Sequence, residues 1–338
     1  MGMKIGTQSA QMATPVYITS YASVVGPKEG DGPLKYSFDE IAQDELYDEQ
    51  TWEKAESKMV KTAFSKILTK GNCTGTDIDY VLTGDLLNQC IASSFGLKEC
   101  QTSFLGLYGA CSTMAEGMSI GAMLVDGGFA QNAIAITSSH YCSSERQYRF
   151  PVELGSQRPP TAQWTVTGSG GVLLSNQSDG ANVQIKRLTV GKIVDMGIKD
   201  VNNMGAAMAP AAAETILTHL QDFQLPPSYY DLIVTGDLGS LGKEICQELL
   251  EKNGCDISNN YQDCGVLIFD AKRQDVHAGG SGCGCSATVL AGELLGRLRR
   301  GELQRLLFVG TGALLSPVSA GQGQPILGIA HAVGIEVE

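Results

Sequence analysis

The 338-residue chain contains no apolar run close to the roughly 20 residues that a membrane-spanning helix requires. Its first residues, MGMKIGTQSAQMATPV, also lack the apolar core of a secretory signal peptide. These two absences predict an intracellular protein without a transmembrane segment.

Basic residues are scarce, because 24 lysines and arginines stand against 36 aspartates and glutamates and leave a net charge of −12. A protein that binds nucleic acid needs a basic stripe to neutralise phosphates, so we exclude nucleic acid as a partner. The chain has four histidines, and its ten cysteines do not recur at zinc-ligand spacing. We therefore expect buried thiols rather than disulfides, no metal site and no bound cofactor.

One stretch organises the chain, residues 109–140, GACSTMAEGMSIGAMLVDGGFAQNAIAITSSH. The pattern predicts the end of a strand, a sharp turn, a helix and a second strand. Cys111 stands at the turn that opens the helix, where Ser112 and Thr113 can bond the first free amide groups. The positive end of a helix lowers the pKa of a thiol and favours the thiolate. Cys111 is therefore a candidate pocket residue, although a cysteine at such a turn can also be a small packing residue.

Two segments of the chain are repeated. A second cysteine turn at Cys285 lies 174 positions after Cys111. The segment DIDYVLTGDL at residues 77–86 recurs 152 positions later as YYDLIVTGDL. The repeats predict an internally duplicated α/β protein with two similar halves, residues 1–178 and 179–338, in one integrated body.

The helix after each cysteine turn carries two glycines four residues apart, Gly117 and Gly121 in the first and Gly292 and Gly296 in the second. Each glycine costs a helix about 1 kcal/mol relative to alanine, unless another backbone passes close by. We therefore predict that the helices beginning near Ser112 and Ser286 pack against one another at the centre of the molecule.

Two local patterns also carry predictions. The glycine- and proline-rich loop GPKEGDGP at residues 26–33 is expected to be exposed. The segment MGAAMAPAAAETILTHLQDF predicts a helix from about Pro210, because proline is tolerated in the first turn.

The motifs IDYVLTGDL, GACSTMAEGM, GGFAQNAIAITSS and TGSGGVLLS occur in the order and at about the spacing of motifs in ketoacyl-ACP synthase III-type condensing enzymes. The chain resembles that family over nearly its whole length. The resemblance implies a thiolase-like fold with five layers in the order αβαβα, and it places Cys111 at the nucleophile position.

In those enzymes a histidine and an asparagine from the second half face the cysteine. At the matching positions this chain has Gly236 and Asp237 at a strand end, and Cys283 in a Gly-Cys-Gly-Cys turn. Condensation needs two neutral donors for the enolate oxygen, so their absence removes much transition-state stabilisation. We therefore assign no catalytic residue and expect no condensing enzyme; the alternative is an acyl transferase that uses Cys111.

Further segments, among them GPKEGDGPL, GDLLNQ, SSHYCSSERQYRFPVE, GGSGCGCSA and TGALLSP, resemble the stage V sporulation protein AD (SpoVAD) family. That resemblance implies a protein that binds dipicolinic acid (pyridine-2,6-dicarboxylate), with or without calcium, and is needed for its uptake into the developing spore. It implies the other proteins of the spoVA operon at the forespore inner membrane as partners. The implied location is the forespore cytoplasm, peripheral to that membrane. Thiolase-like proteins commonly pair through the strand beside the nucleophile, here about residues 103–108, so we also expect a homodimer.

The charge of such a ligand suggests which residues bind it. Arg146 and Arg149 are the best forks for a carboxylate, although both could instead be solvated or paired with acidic neighbours. His140 follows a strand beside the cysteine turn, where a pocket should form, but it could also be a loop histidine bonded to backbone. Two helix N-termini directed into one cavity would add positive potential. The full set of candidate ligand-binding residues is Asn88, Cys111, Ser112, Ser139, His140, Arg146, Arg149, Cys283, Gly284 and Cys285.

Overall fold

The computed structural model describes residues 2–148, 158–180 and 182–338. The candidate residue Arg149 lies outside these ranges. In the part of the chain that the structure describes, no helix is both long enough and apolar enough to cross a membrane.

The strands, numbered in chain order, are β1 Met3–Ile5, β2 Ser9–Val25, β3 Glu40–Ile41, β4 Tyr80–Gly84, β5 Ser103–Gly106, β6 Asn132–Ser139, β7 Trp164–Thr165, β8 Gly168–Ser175, β9 Val183–Val190, β10 Leu232–Thr235, β11 Tyr261–Asp263, β12 Gly280–Ser281, β13 Arg305–Leu314 and β14 Leu327–Val337.

The α-helices are α1 Pro27–Gly30, α2 Trp52–Lys70, α3 Ile91–Leu97, α4 Thr113–Asp126, α5 Tyr141–Tyr148, α6 Met204–Asp222, α7 Gly239–Lys252, α8 Cys264–Leu267, α9 Cys283–Val289, α10 Leu295–Arg299 and α11 Pro317–Gly321. A π-helical turn, Leu290–Leu294, joins α9 to α10, and short 3₁₀ turns lie at Gly75–Asp77, Asn88–Cys90, Ala110–Ser112 and Pro227–Tyr229.

The two halves repeat one strand order. The first half runs β5-β4-β6-β8-β2 and the second runs β11-β10-β13-β14-β9. In each half the first two strand pairings are parallel and the last two are antiparallel, so only the fourth strand of the order runs against the others. Strands β2 and β9 pair with each other and join the two sheets edge to edge. The duplicated thiolase-like α/β fold is therefore confirmed, whereas the boundary between residues 178 and 179 stays a prediction.

The helices complete five layers. Helices α2 and α3 pack on the outer face of the first sheet, and α6 packs with α7 on the outer face of the second. Helix α4 contacts strands of both sheets as well as α9, so the two cysteine turns open helices in the central layer. Both central helices are largely buried, as predicted.

The glycines of the central helices do not serve the purpose that we predicted. A Cβ added at Gly121 would meet the side chain of Leu174, and one at Gly292 would meet the ring of Phe38. The close backbone approach is between β8 and α9 instead, since a Cβ at Gly170 would lie 2.4 Å from the carbonyl oxygen of Ala287. Strand glycines therefore let α9 sit directly on the first sheet.

Helix α6 begins six residues before Pro210, at Met204, so the predicted start was wrong. The Asn203 side chain accepts a hydrogen bond from the amide of Ala206 at 3.3 Å and caps the helix. Pro210 lies inside α6, where burial against the second sheet and α7 offsets the cost of a missing amide donor. The start of α6 is therefore set by the Asn203 cap and not by the proline.

The loop at residues 26–33 is partly buried rather than exposed, because it forms α1 and places Glu29 in the interior. The Glu29 Oε1 atom accepts a hydrogen bond from the amide of Thr167 at 3.0 Å. Burial raises the pKa of Glu29 to about 8, so this side chain is a neutral acid over much of the physiological range.

Candidate functional site

The turn that carries Cys111 is held by its own backbone and hydroxyl groups. Ala110 has a φ of +51°, a left-handed conformation that is rare for a residue with a side chain. The Ser112 hydroxyl donates to the Gly109 carbonyl at 2.7 Å, and the Thr113 hydroxyl donates to the Ala110 carbonyl at 2.6 Å. These hydroxyls therefore brace the turn and do not cap α4, contrary to the sequence prediction. Backbone strain of this kind persists only where surrounding structure maintains it.

Cys111 lines a small cavity between the two halves. The cavity has a volume of about 100 Å³, below the several hundred Å³ of most ligand sites. Its wall comes from the Cys111 turn, from α5, from the segments around β7 and β12, and from the second half. The lining residues are Leu86, Ala110, Cys111, Ser144, Glu145, Tyr148, Thr165, Val201, Met204, Ser281, Ala313, Leu315, Pro317 and Ala320.

A buried carboxylate, Asp237, lies behind the Cys111 thiol. Its Oδ2 atom accepts hydrogen bonds from the Ser281 hydroxyl and the Gly282 amide, both at 3.0 Å, and its Oδ1 atom accepts one from the Thr311 hydroxyl at 2.7 Å. The Ser281 oxygen lies 4.0 Å from the Cys111 sulfur. Asp237 thus occupies the start of α9, where an anionic ligand would otherwise find free amide groups.

Burial and the nearby Asp237 carboxylate raise the pKa of the Cys111 thiol well above its ordinary value. The predicted lowering by the helix end was therefore wrong, because loss of hydration outweighs the partial charge of the helix terminus. At neutral pH the side chain is a thiol, which is a poor nucleophile.

The turn at Cys283, Gly284 and Cys285 does not face the cavity. The amide of Gly284 donates to the Ser139 hydroxyl at 3.0 Å, and the amide of Cys285 donates to the Gly282 carbonyl at 2.9 Å. The Cys283 thiol contacts the Ala110 carbonyl at 3.0 Å. The Gly282 and Gly284 amides at the start of α9 thus donate to Asp237 and Ser139. We had predicted that this helix end points into the cavity, and the structure does not show that arrangement.

The side chains of His140 and Ser139 are buried and form hydrogen bonds with backbone groups. The Nε2 atom of His140 lies 2.8 Å from the Glu45 carbonyl oxygen, and its Nδ1 atom accepts from the Cys142 amide at 3.2 Å. Burial lowers the pKa of His140, so the ring is neutral. The Ser139 hydroxyl donates to the Val166 carbonyl at 2.6 Å. Neither residue lines the cavity, and the backbone-bonded reading of His140 is the one that the structure supports.

Arg146 lies on the outer side of α5, away from Cys111. It forms an ion pair with Glu53, and its guanidinium lies 5.2 Å from the centre of the Trp52 ring. Together with Asn88 it borders a separate surface groove. Among the cavity-lining residues that the structure describes, none is basic, and Glu145 is acidic. A carboxylate fork from Arg149 stays a prediction.

Tyr148 closes one side of the cavity and was missed from the sequence. Its hydroxyl and that of Tyr108 both donate to the Leu86 carbonyl, at 2.9 and 3.0 Å. The Gln147 side chain donates to the same carbonyl at 2.8 Å. These hydrogen bonds hold α5 against the loop after β4. No local pattern in the sequence predicts them.

Asp237 could have been found from the repeat. The repeated TGDL segments place Asp85 and Asp237 at equivalent strand ends, and both carboxylates are buried and accept several hydrogen bonds. A carboxylate kept in both copies at the end of a central strand is a signal for the site edge of a parallel sheet.

Sequence comparisons match the whole chain to one family. The family model described as stage V sporulation protein AD (SpoVAD) matches residues 6–336. The stage V sporulation protein AD of Bacillus subtilis (strain 168) is 44% identical over 331 residues, which cover 98% of this chain and 97% of that protein.

Solved structures with low sequence identity share the fold of this chain. The chain resembles AbyA1, a tetronic acid condensing enzyme, with 14% identity and a TM-score of 0.62 over 95% of this chain and 99% of that one. It resembles 3-oxoacyl-[acyl-carrier-protein] synthase III from Aquifex aeolicus VF5 with 12% identity and a TM-score of 0.56, over 95% and 99% of the two chains. At such low identity these structures show the fold alone.

Proposed function

Because the chain belongs to the stage V sporulation protein AD family, we propose that it binds dipicolinic acid in the Cys111 cavity and supports its uptake into the developing spore. The observation that carries the proposal is the chemistry of Cys111. At the nucleophile position of a condensing-enzyme fold, this chain has a buried thiol whose raised pKa keeps it protonated beside Asp237. Such a cavity suits reversible binding better than covalent chemistry.

The lining suits a flat ring with polar ends. Leu86, Val201, Met204 and Ala313 offer apolar walls for a pyridine ring. The Ser144 hydroxyl is buried and has no hydrogen-bond partner among the described residues, so it can donate to a ligand carboxylate. These features support a small aromatic acid as the ligand.

Charge is the remaining requirement of a dianionic ligand. The described lining of the cavity contains no basic residue, so a dianion needs a compensating cation. We infer that Arg149, or calcium bound together with the ligand, supplies that charge. The other proteins of the spoVA operon at the forespore inner membrane are the partners that we propose for transfer of the ligand.

Titration calorimetry tests the proposal directly. Dipicolinate should bind the purified full-length protein, and calcium should change its affinity if the cation enters with the ligand. Benzene-1,3-dicarboxylate, which has the same outline without the ring nitrogen, is the matched control and should bind more weakly. Absence of dipicolinate binding both with and without calcium would refute the proposal.

We predict no condensing activity. The neutral Cys111 thiol, together with Gly236, Asp237 and Cys283 in place of a histidine and an asparagine, removes the nucleophile and both enolate donors. The protein should form no product from acetyl-CoA and malonyl-ACP, and radiolabelled acetyl-CoA should leave no label on Cys111. An active ketoacyl-ACP synthase III is the positive control. Product that disappears in Cys111→Ala would establish the alternative, an acyl transferase with this fold.

We also propose that the protein is a homodimer paired through β5. This strand pairs with β4 along one edge, and its Phe104 and Leu105 side chains are 41% and 40% exposed. No described strand pairs with its other edge, and such an edge with apolar side chains favours pairing with a second copy. Light scattering should give a dimer at micromolar concentration, and Leu105→Glu should shift it toward monomer.

Phe129, which is 71% exposed in the turn between α4 and β6 and is not part of β5, provides the control, since Phe129→Glu should leave the dimer intact. A wild-type monomer at the same concentration would contradict this assignment.

A further inference from the structure

A concave feature much larger than the Cys111 cavity lies on the opposite side of α5 from that cavity. It is an open groove of about 1010 Å³ between α2 and α3. Five lysines and three glutamates contribute to its lining, so the groove is net positive in a chain whose net charge is −12. The lysines are Lys54, Lys58, Lys61 and Lys66 on α2 and Lys98 just after α3.

Three of the five lysines of the groove form ion pairs that are partly exposed to solvent. Lys61 pairs with Glu99 at 2.6 Å, Lys66 with Glu40 at 3.0 Å and Lys58 with Asp48 at 3.5 Å, and these lysine side chains are 32% to 56% exposed. Lys58 also donates to the Tyr47 carbonyl at 2.7 Å. Exposed ion pairs contribute roughly 0 to 1 kcal/mol, so carboxylates of a partner can replace them at little cost. Within the described chain, neither Lys54 nor Lys98 has a carboxylate within salt-bridge distance.

The α3 side of the groove is apolar. Ile91 and Phe95 are 39% and 57% exposed, and they lie four residues apart on one face of the helix. The Lys98 ammonium group lies 5.6 Å from the centre of the Phe95 ring. A basic row on α2 therefore runs beside an apolar row on α3.

The groove continues toward α5. A shallower depression of about 280 Å³ shares Glu53 and Ile91 with it and adds Asn88, Arg146 and Gln147. Two of the residues that the sequence singled out for a ligand, Asn88 and Arg146, thus belong to this surface. Helix α5 presents Arg146 to the groove and Ser144, Glu145 and Tyr148 to the Cys111 cavity.

We propose that this groove, formed by α2, α3 and the outer side of α5, docks an acidic amphipathic helix of a partner protein. The basic row matches an acidic face and the apolar row matches an apolar stripe, which is the pattern of helix-in-groove recognition. Helix α2 has 19 residues and spans roughly 28 Å, enough to lie along about five turns of a bound helix.

Other occupants fit the same features less well. A bilayer surface is flat, whereas the lysines and Phe95 line a concavity. Nucleic acid requires a basic surface with few carboxylates, whereas Glu49, Glu53 and Glu99 line this groove. A small molecule would leave most of its volume empty.

Selection from a library of 20-residue peptides on the immobilised full-length protein tests the proposal. The recovered peptides should be rich in Glu and Asp with apolar residues at positions i, i+3 or i+4 and i+7. A fluorescein-labelled consensus peptide should then bind in solution by anisotropy, and raising the salt concentration should weaken it. The groove variant Lys54→Glu/Phe95→Ser/Lys98→Glu changes exposed side chains only and should weaken binding by about 30-fold or more.

A matched control changes exposed lysines elsewhere, Lys192→Glu/Lys272→Glu, and should leave peptide binding unchanged. Recovery of neutral or basic peptides, or equal weakening in the control, would overturn the proposal. It would also be overturned if the wild-type protein bound phosphatidylglycerol vesicles but not the peptide, and the groove variant did not bind the vesicles. A change of oligomeric state in the groove variant by sedimentation equilibrium would assign the groove to a second copy instead.

Discussion

Cys111→Trp is expected to abolish dipicolinate binding. Cys111 lines a cavity of only about 100 Å³, and an indole ring at this position would fill the space that the ligand must occupy. The left-handed Ala110 and the bonds of Ser112 and Thr113 hold the turn, so the larger side chain cannot swing away with its backbone. Calorimetry should therefore show at least roughly a hundredfold loss of affinity.

Overpacking a buried site also lowers stability, by roughly 1 to 3 kcal/mol, so the fold of the variant has to be checked by near-ultraviolet circular dichroism. Ala320→Trp is a second variant, at a half-buried lining residue on α11, that narrows the cavity and leaves the core unchanged. It should weaken binding by about tenfold or more. Cys111→Ser keeps a side chain of similar shape and adds no bulk, so it should bind as wild type does. If both tryptophan variants are folded and bind normally, the ligand site is elsewhere.

The second large expected effect is a loss of stability as the pH rises from 5 to 8. The buried Glu29 has its pKa raised from 4.5 to about 8. The folded protein therefore binds this proton more tightly than the unfolded chain does, and unfolding releases it. Stability from Glu29 is fully present below pH 4.5, falls as the pH rises toward 8, and is gone above that value.

The slope expected from one such group is about 1.4 kcal/mol per pH unit inside that window, with an upper bound of roughly 5 kcal/mol in total. Glu29→Gln retains an oxygen that accepts from the Thr167 amide and removes the titration. Urea denaturation at pH 5, 6, 7 and 8 should show a smaller decline for Glu29→Gln than for wild type. The partly exposed Glu49→Gln is the control and should follow wild type. Identical declines in all three proteins would show that Glu29 does not carry the effect.

The duplicated architecture was readable from the chain because repeated strands and turns need repeated side chains. The offset of 152 residues between the TGDL segments is also the offset between the starts of α2 and α6, which have the same length. Residues on these elements pack against their own sheet, so the local pattern contains the information. Strand β9 was placed at its observed bounds, Val183–Val190, for the same reason.

The details of the candidate site were harder to predict from the sequence than the fold. Cys111, at a helix start, lines the cavity, but its pKa is raised by burial and by Asp237, which is 126 positions away in the chain. Arg146 was chosen by charge, yet the direction of its side chain follows from the packing of α5 on α2, which turns it toward Glu53. Residue type indicated what each group could do, and it did not indicate which face of α5 each group occupies.

By itself the sequence determined the class of fold, the duplication, the family and the turn that opens the first central helix, because each follows from local patterns or from motifs that survive in order along the chain. Only the tertiary structure decided the protonation of Cys111, the burial of Glu29 in a loop of turn-forming residues, and the separation of Arg146 and Asn88 from the cavity. These properties depend on hydration and on the field of groups distant in the chain, and both are set only when the chain is folded.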